Sequence, residues 1–102
     1  MGLEEIKRLY TGKEEKLYYF ILMLDMVKGV CDDFKSYGTS FLDEIEQLEV
    51  LEDYGLVKIK EKIDPKEGII TLAKITRNGR ELYKQIKQDN LFKKLEELLD
   101  DE

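Results

Sequence analysis

Apolar residues recur along the chain in two rhythms, and the change between them divides it into elements. Leu3, Ile6, Leu9 and Tyr10 stand three and four apart, which predicts a short helix over 3–10. Thr11 with Glu14 has the form of a capping box, so a helix should start there, with Thr11 as N-cap, and run to about Lys28. Its middle, Leu17 to Leu24, is apolar on all sides, so one face should meet the core and the other a second subunit. Gly29 should end this helix, and Val30 to Tyr37 should add two helical turns with Val30, Cys31 and Phe34 facing inward. Gly38 supplies a turn, and Ser40 with Asp43 forms another capping box. The helix that follows, to about Asp53, has Phe41, Leu42, Ile45, Leu48 and Leu51 as its buried stripe, and Gly55 suits the left-handed residue that stops it.

Beyond Gly55 the period falls to two. Val57, Ile59 and Ile63 alternate with Lys58, Lys60 and Lys62, the pattern of a half-buried strand with lysines outward. Asp64-Pro65-Lys66-Glu67-Gly68 is a turn, and Ile69 to Ile75 is the return strand, giving a hairpin over 56–75. Thr76 can cap a last helix from Arg77 to about Leu99. Leu82, Tyr83, Ile86, Leu91, Phe92, Leu95, Leu98 and Leu99 form its apolar side, with Asp89-Asn90 as a point of bending or interruption. The expected class is α+β, mainly helical, in one domain over 1–102.

Composition narrows the function classes. The chain has 102 residues, 42% hydrophobic and 39% charged, which fits one small globular domain. A core of that size is marginal, so a homodimer is a natural source of further buried surface. The eight-residue apolar run Leu17–Leu24 is far short of the roughly 20 residues of a membrane span. No basic-then-apolar signal segment stands at the N-terminus, and the expected location is the cytoplasm, or a host cell's cytoplasm for a viral protein. Cys31 is the only cysteine and there is no histidine, so neither an internal disulfide nor a Cys/His metal cluster can form. Cys31 reads as a small core residue or, alternatively, as half of a disulfide between two subunits. The second option belongs to hyperthermophile proteins, whose bias the 14 Lys, 3 Arg and absent His resemble.

Two segments carry a resemblance. Leu48-Glu-Val-Leu51-Glu-Asp-Tyr-Gly55-Leu56-Val57 looks like the end of a recognition helix followed by the glycine that enters a wing. Ile75-Thr76-Arg-Asn-Gly79-Arg80-Glu-Leu82 is similar to the threonine-x-x-glycine-arginine step that follows the wing. In this order and at this spacing they resemble the winged helix-turn-helix family, above all small archaeal and bacterial transcription regulators; winged-helix proteins of archaeal viruses share this size. The resemblance implies a helix-turn-helix core over 11–76, a two-stranded wing over 56–75 and a C-terminal dimerisation helix over 77–99. It also implies regulation of transcription by a homodimer on duplex DNA, with the Ser40 helix in the major groove. No cofactor is implied.

Charge complicates that expectation. From Val30 to Gly55 there are one base and eight acids, a net of 1 − 8 = −7; from Leu56 to Lys94 there are eleven bases and five acids, a net of 11 − 5 = +6. The helix expected to read DNA holds six acids and no base. The expected DNA contacts are therefore Thr39 and Ser40 at the helix start, Gln47 reading adenine, Lys58, Lys60, Lys62 and Lys66 on the wing, and Arg77 and Arg80 assisting. The expected dimer contacts are Tyr18, Tyr19 and Leu22 on one helix and Leu82, Ile86, Leu91, Phe92 and Leu95 on the other. A second reading keeps the fold but turns the acidic helix toward a basic protein partner. An enzyme is not expected, because the sequence has no paired catalytic signature and no phosphate loop.

Overall fold

The alternating stretch folds into the expected antiparallel hairpin and gains a third strand. The computed structural model describes residues 1–100, so the last two positions of the expected domain lie outside the described residues. Among the described residues there are five helices: α1 (Leu3–Leu9), α2 (Glu14–Asp32), α3 (Leu42–Asp53), α4 (Arg77–Asp89) and α5 (Leu91–Asp100). Three strands, β1 (Tyr37–Thr39), β2 (Val57–Asp64) and β3 (Gly68–Ile75), form one antiparallel sheet in the order β1-β3-β2. The architecture is a compact α+β arrangement, mainly helical.

The two segments that carry the family resemblance dock on each other. Gly55, at φ 74°, ends α3 in the left-handed conformation expected of it. The Thr76 hydroxyl donates to the Gly55 carbonyl at 2.6 Å and accepts from the Gly79 amide at 3.1 Å, so one side chain both caps α4 and fastens it to the end of α3. The Thr76 amide donates to the Leu56 carbonyl at 2.9 Å. Gly79 sits against that same carbonyl: a Cβ there would stand 2.1 Å from the Leu56 oxygen. The glycine of the threonine-x-x-glycine step is required by close backbone approach, since its own backbone is ordinary helix.

Several boundaries differ from expectation. Thr11 does not cap α2; its hydroxyl donates to the Lys7 carbonyl, and α2 starts at Glu14. Gly29 does not end α2. A helical glycine costs about 1 kcal/mol, which burial of neighbouring side chains such as Val27 outweighs, and the helix runs on to Asp32. It stops at Phe34, which takes φ 61°. The Phe34 amide donates to the Cys31 carbonyl and the Lys35 amide to the Val30 carbonyl, the paired bonds of a Schellman ending. Phe34 is therefore outside the core, at 96% exposure, and no short helix stands between α2 and α3. β1 takes that place.

Ser40 does not cap α3 either. Phe41 is the N-cap residue, without a side-chain bond, and the turn is held by Thr39, whose hydroxyl accepts from the Phe41 amide. As a result Phe41 and Leu42, expected in the core, are 70% and 76% exposed.

The C-terminal helix breaks at Asn90, where φ 60° gives a left-handed cap, and α5 folds back onto α2. This corrects the expected dimer surface. Leu82, Ile86, Leu91 and Leu95 are buried in the chain's own core with Phe20, Ile21 and Leu24, and Phe92 is half-buried against that core. α1 is tied to α4 by the Leu3 amide, which donates to Gln85, and by an ion pair of Lys7 with Asp89 at 3.1 Å. Burial alone would raise the Asp89 carboxyl, but hydrogen bonds from Lys7 and Lys94 outweigh it and hold the group below its usual range. Tyr83 joins α4 to α2 by donating to Asp25 at 2.5 Å; burial first, and that carboxylate second, push its hydroxyl up to about 12.

Three substitutions test this account by chemical denaturation. Gly79→Ala should cost about 3 kcal/mol, the upper part of the overpacking range, because backbone must move to admit the methyl group. Thr76→Ala, which removes a cap and a second hydrogen bond, should cost about 2 kcal/mol. Phe34→Gly should stabilise by about 1 kcal/mol, by relieving the left-handed conformation without loss of core.

Candidate nucleic-acid interface

The hairpin register decides which side chains share a face. Lys58 stands opposite Lys74, Lys60 opposite Leu72, and Lys62 opposite Ile70. Strand alternation puts all six on the side of the sheet away from Val57, Thr71 and Ala73, which are buried. β1 sets Gly38 opposite Leu72 on this outer face. A Cβ at Gly38 would come within 3.2 Å of the Leu72 side chain and 3.5 Å of Ile70, so glycine leaves the apolar strip room to lie flat. The face is thus a short Leu72–Ile70 strip with lysines along its β2 side and Lys74 at one end.

Those lysines are held in no ion pair: among the described residues, no carboxylate pairs within 4.0 Å with Lys58, Lys60, Lys62 or Lys74. Lys58 and Lys74 are like charges directly opposite on antiparallel strands, an arrangement that is destabilising in isolation and that a bound anion would relieve. The tip of the hairpin stands clear of the helices: Ile63 is 81% exposed, and its cross-strand partner Ile69 is exposed too.

The tip is ordered by Asp64, whose carboxylate accepts from the Lys66 amide at 2.7 Å and the Glu67 amide at 3.1 Å. Gly68 then takes φ 80°, which lets β3 start directly. These hydrogen bonds, that of Lys66 first, hold the Asp64 carboxyl below its usual range.

The other expected contacts do not all gather here. Lys66 is exposed at the tip, and Arg77 is exposed on the first turn of α4. Arg80 is exposed but donates to Asp32 at 3.1 Å, and Lys28 shares that carboxylate. Ser40 is exposed ahead of α3. Thr39 is a correction: it is 7% exposed, and its hydroxyl oxygen is used on the Phe41 amide. Gln47 is half-exposed and lines the open groove between α2 and α3 with Leu22 and Met23, apart from the hairpin lysines.

Two of the six acids of α3 serve the fold. Glu44 accepts a short hydrogen bond from the Tyr37 hydroxyl, and burial followed by this bond raises the Tyr37 pKa. Glu52 accepts from the Ile59 amide at 2.9 Å, where β2 has no neighbouring strand. Both flank Leu48 at four-residue intervals, and that spacing is the sequence signal for their facing the sheet. Asp43, Glu46, Glu49 and Asp53 are exposed, and no ion pair engages them among the described residues. Lys74 and the Ile70–Leu72 strip were legible in the alternation of the return strand, whose second face went unread.

Tyr18 is half-buried and donates to Glu96 of α5, Tyr19 is exposed, Leu22 is half-buried, and Cys31 is a free, half-buried thiol. Among the described residues no group of three or more His, Cys, Asp or Glu is placed to hold a metal ion, and no helix is long and apolar enough to cross a membrane. No protein-family model, curated protein or solved structure matches the chain.

The tip chemistry gives a pH test. A depressed Asp64 pKa means that its stabilising contribution is present above the unfolded-state value and is lost as pH falls through the lower folded value. An NMR titration of the Asp64 carboxyl should show a midpoint below the ordinary 3.8, and Lys66 and Glu67 amide shifts should titrate with it.

Proposed function

We propose that the chain binds duplex DNA through the outer face of its hairpin, as a winged-helix protein in which the wing dominates, and that it regulates transcription. One observation carries this reading: Lys58, Lys60, Lys62 and Lys74 share one sheet face with no carboxylate paired to them among the described residues. Lysines that replace condensed counterions at phosphates supply the sequence-independent part of DNA affinity. Lys66 at the tip and Arg77 at the start of α4 extend the same charge. The order α3, hairpin, α4, closed by the Thr76 junction, supports the winged reading, in a reduced form without the short helix that usually precedes the recognition helix.

α3 is kept out of the groove in this proposal. A carboxylate and a phosphate about 4 Å apart repel by roughly 1 kcal/mol even in bulk water. Asp43, Glu46, Glu49 and Asp53 would therefore offset much of what four lysines gain. Ser40 stays available for a phosphate at the helix start, whereas Thr39 and Gln47 drop out. The reading does not rest on a homodimer: the apolar side of the C-terminal segment is spent inside the chain, and of the expected dimer contacts only Tyr18, Tyr19, Leu22 and Phe92 keep more than slight exposure.

The deciding measurement is affinity for random-sequence duplex against salt. Binding should weaken with a log–log slope reflecting several phosphates, and Lys58→Glu, Lys60→Glu and Lys74→Glu should each flatten it by about 0.9. Glu46→Gln with Glu49→Gln should leave the slope unchanged and tighten binding slightly. Absence of binding at low salt would overturn the reading.

A further inference from the structure

The groove between α2 and α3, at the edge of the core, is a second surface of opposite character. Tyr19, Leu22, Met23 and Met26 stand at i, i+3, i+4 and i+7 and form the apolar side of an open groove of about 490 Å³. Tyr19 and Met26 are 52% and 39% exposed. The opposite wall comes from the first turns of α3, with Asp43 and Glu44. The same end of α3 carries the exposed Phe41 and Leu42. Tyr19 and Met26 in the groove, with Phe41 and Leu42 at the adjoining end of α3, are large apolar side chains gathered in one region rather than scattered singly, which points to a contact site.

The chemistry of the rim says what the contact is. Glu44 is already engaged by Tyr37, but Asp43 and, one turn on, Glu46 are exposed and unpaired among the described residues, and α3 has no base to balance them. An occupant must bring an apolar stripe for Leu22 and Met26 and positive charge for the acids. Methionine side chains, flexible and polarizable, adapt to a helical stripe. An amphipathic helix lays such a stripe into a groove through anchors at i, i+3, i+4 and i+7.

Two other occupants fit less well. A second copy related by a two-fold axis would bring the same patch to itself, so acidic rims would meet acidic rims. A head-to-tail contact of hairpin lysines with this groove would not close and would grow into a filament. DNA is opposed by the same carboxylates. We propose that the α2/α3 groove binds a lysine- or arginine-bearing amphipathic helix of a partner protein. The inference stands apart from the DNA reading, since it uses other elements and the opposite charge.

The test uses the full chain, isotope-labelled for NMR, and two synthetic helical peptides of about 18 residues with leucines at helical spacing: one filled with lysine, the other with glutamate. The lysine peptide should shift the resonances of Tyr19, Leu22, Met26 and Asp43, and the glutamate peptide should not at the same concentration. Met26→Lys, and separately Asp43→Lys with Glu46→Lys, should each weaken binding about tenfold, near 1.4 kcal/mol, with unchanged thermal melts. The proposal is overturned if the lysine peptide fails to bind or shifts acidic residues all over the surface without dependence on Met26. It is equally overturned if the groove resonances respond to chain concentration alone, which would assign the site to a second copy, or to duplex DNA.

Discussion

The contact of Thr76 and Gly79 with Gly55 and Leu56 is the constraint on which the rest of the structure depends. A hairpin attached to a small domain is held only at its two ends, and here the ends are fastened to each other. The Gly55 carbonyl, the Leu56 carbonyl and the start of α4 all converge on one threonine. That convergence fixes where β2 leaves α3 and where β3 enters α4, and hence the direction in which the lysine face points. The glycine is what permits the approach: any side chain at position 79 would separate the two backbones and let the hairpin swing.

Around that junction the chain keeps its charges apart. The acidic half, through α3, and the basic half, through the hairpin and α4, are joined among the described residues by one ion pair, Asp32 with Arg80. Exposed pairs of this kind contribute little to stability individually. Burial of Phe20, Leu24, Leu48, Leu51, Leu56 and Leu82 holds the halves together instead, which frees the surface charges to remain unpaired. Two surfaces of opposite sign on one small core is the outcome.

The sequence made the local, periodic features readable. Gly55 as a left-handed cap, the turn at Asp64–Gly68, the hairpin and the Thr76 cap all have short-range chemical causes, and all are found. What stayed hidden depends on tertiary context. Phe34 adopts a left-handed conformation that a bulky residue does not advertise, so the end of α2 escaped the pattern, whereas the interruption at Asp89-Asn90 was readable and is found at Asn90. The apolar side of 77–99 looked like surplus surface because nothing local said that the segment folds back onto α2. Phe41 and Leu42 have the spacing of core residues, yet they stand at the N-cap and first position of α3, where the helix start holds them clear of the core. For the candidate site, the lysines of β2 were readable from alternation. Their neighbours across the sheet needed the register, and the removal of Thr39 needed the geometry of the α3 entrance.

The hydrogen bond from the Ile59 amide to Glu52 reaches beyond the fold of one molecule. A sheet edge with free amides is a template onto which another chain can add a strand. β2 is such an edge, and it is both long and flanked by an exposed apolar tip. The carboxylate of Glu52 occupies the edge beside the core, and lysine repulsion discourages stacking along the remainder. At the opposite edge, β1 is only three residues long. The half-exposed hairpin has thereby been given sheet borders that resist strand-by-strand polymerisation.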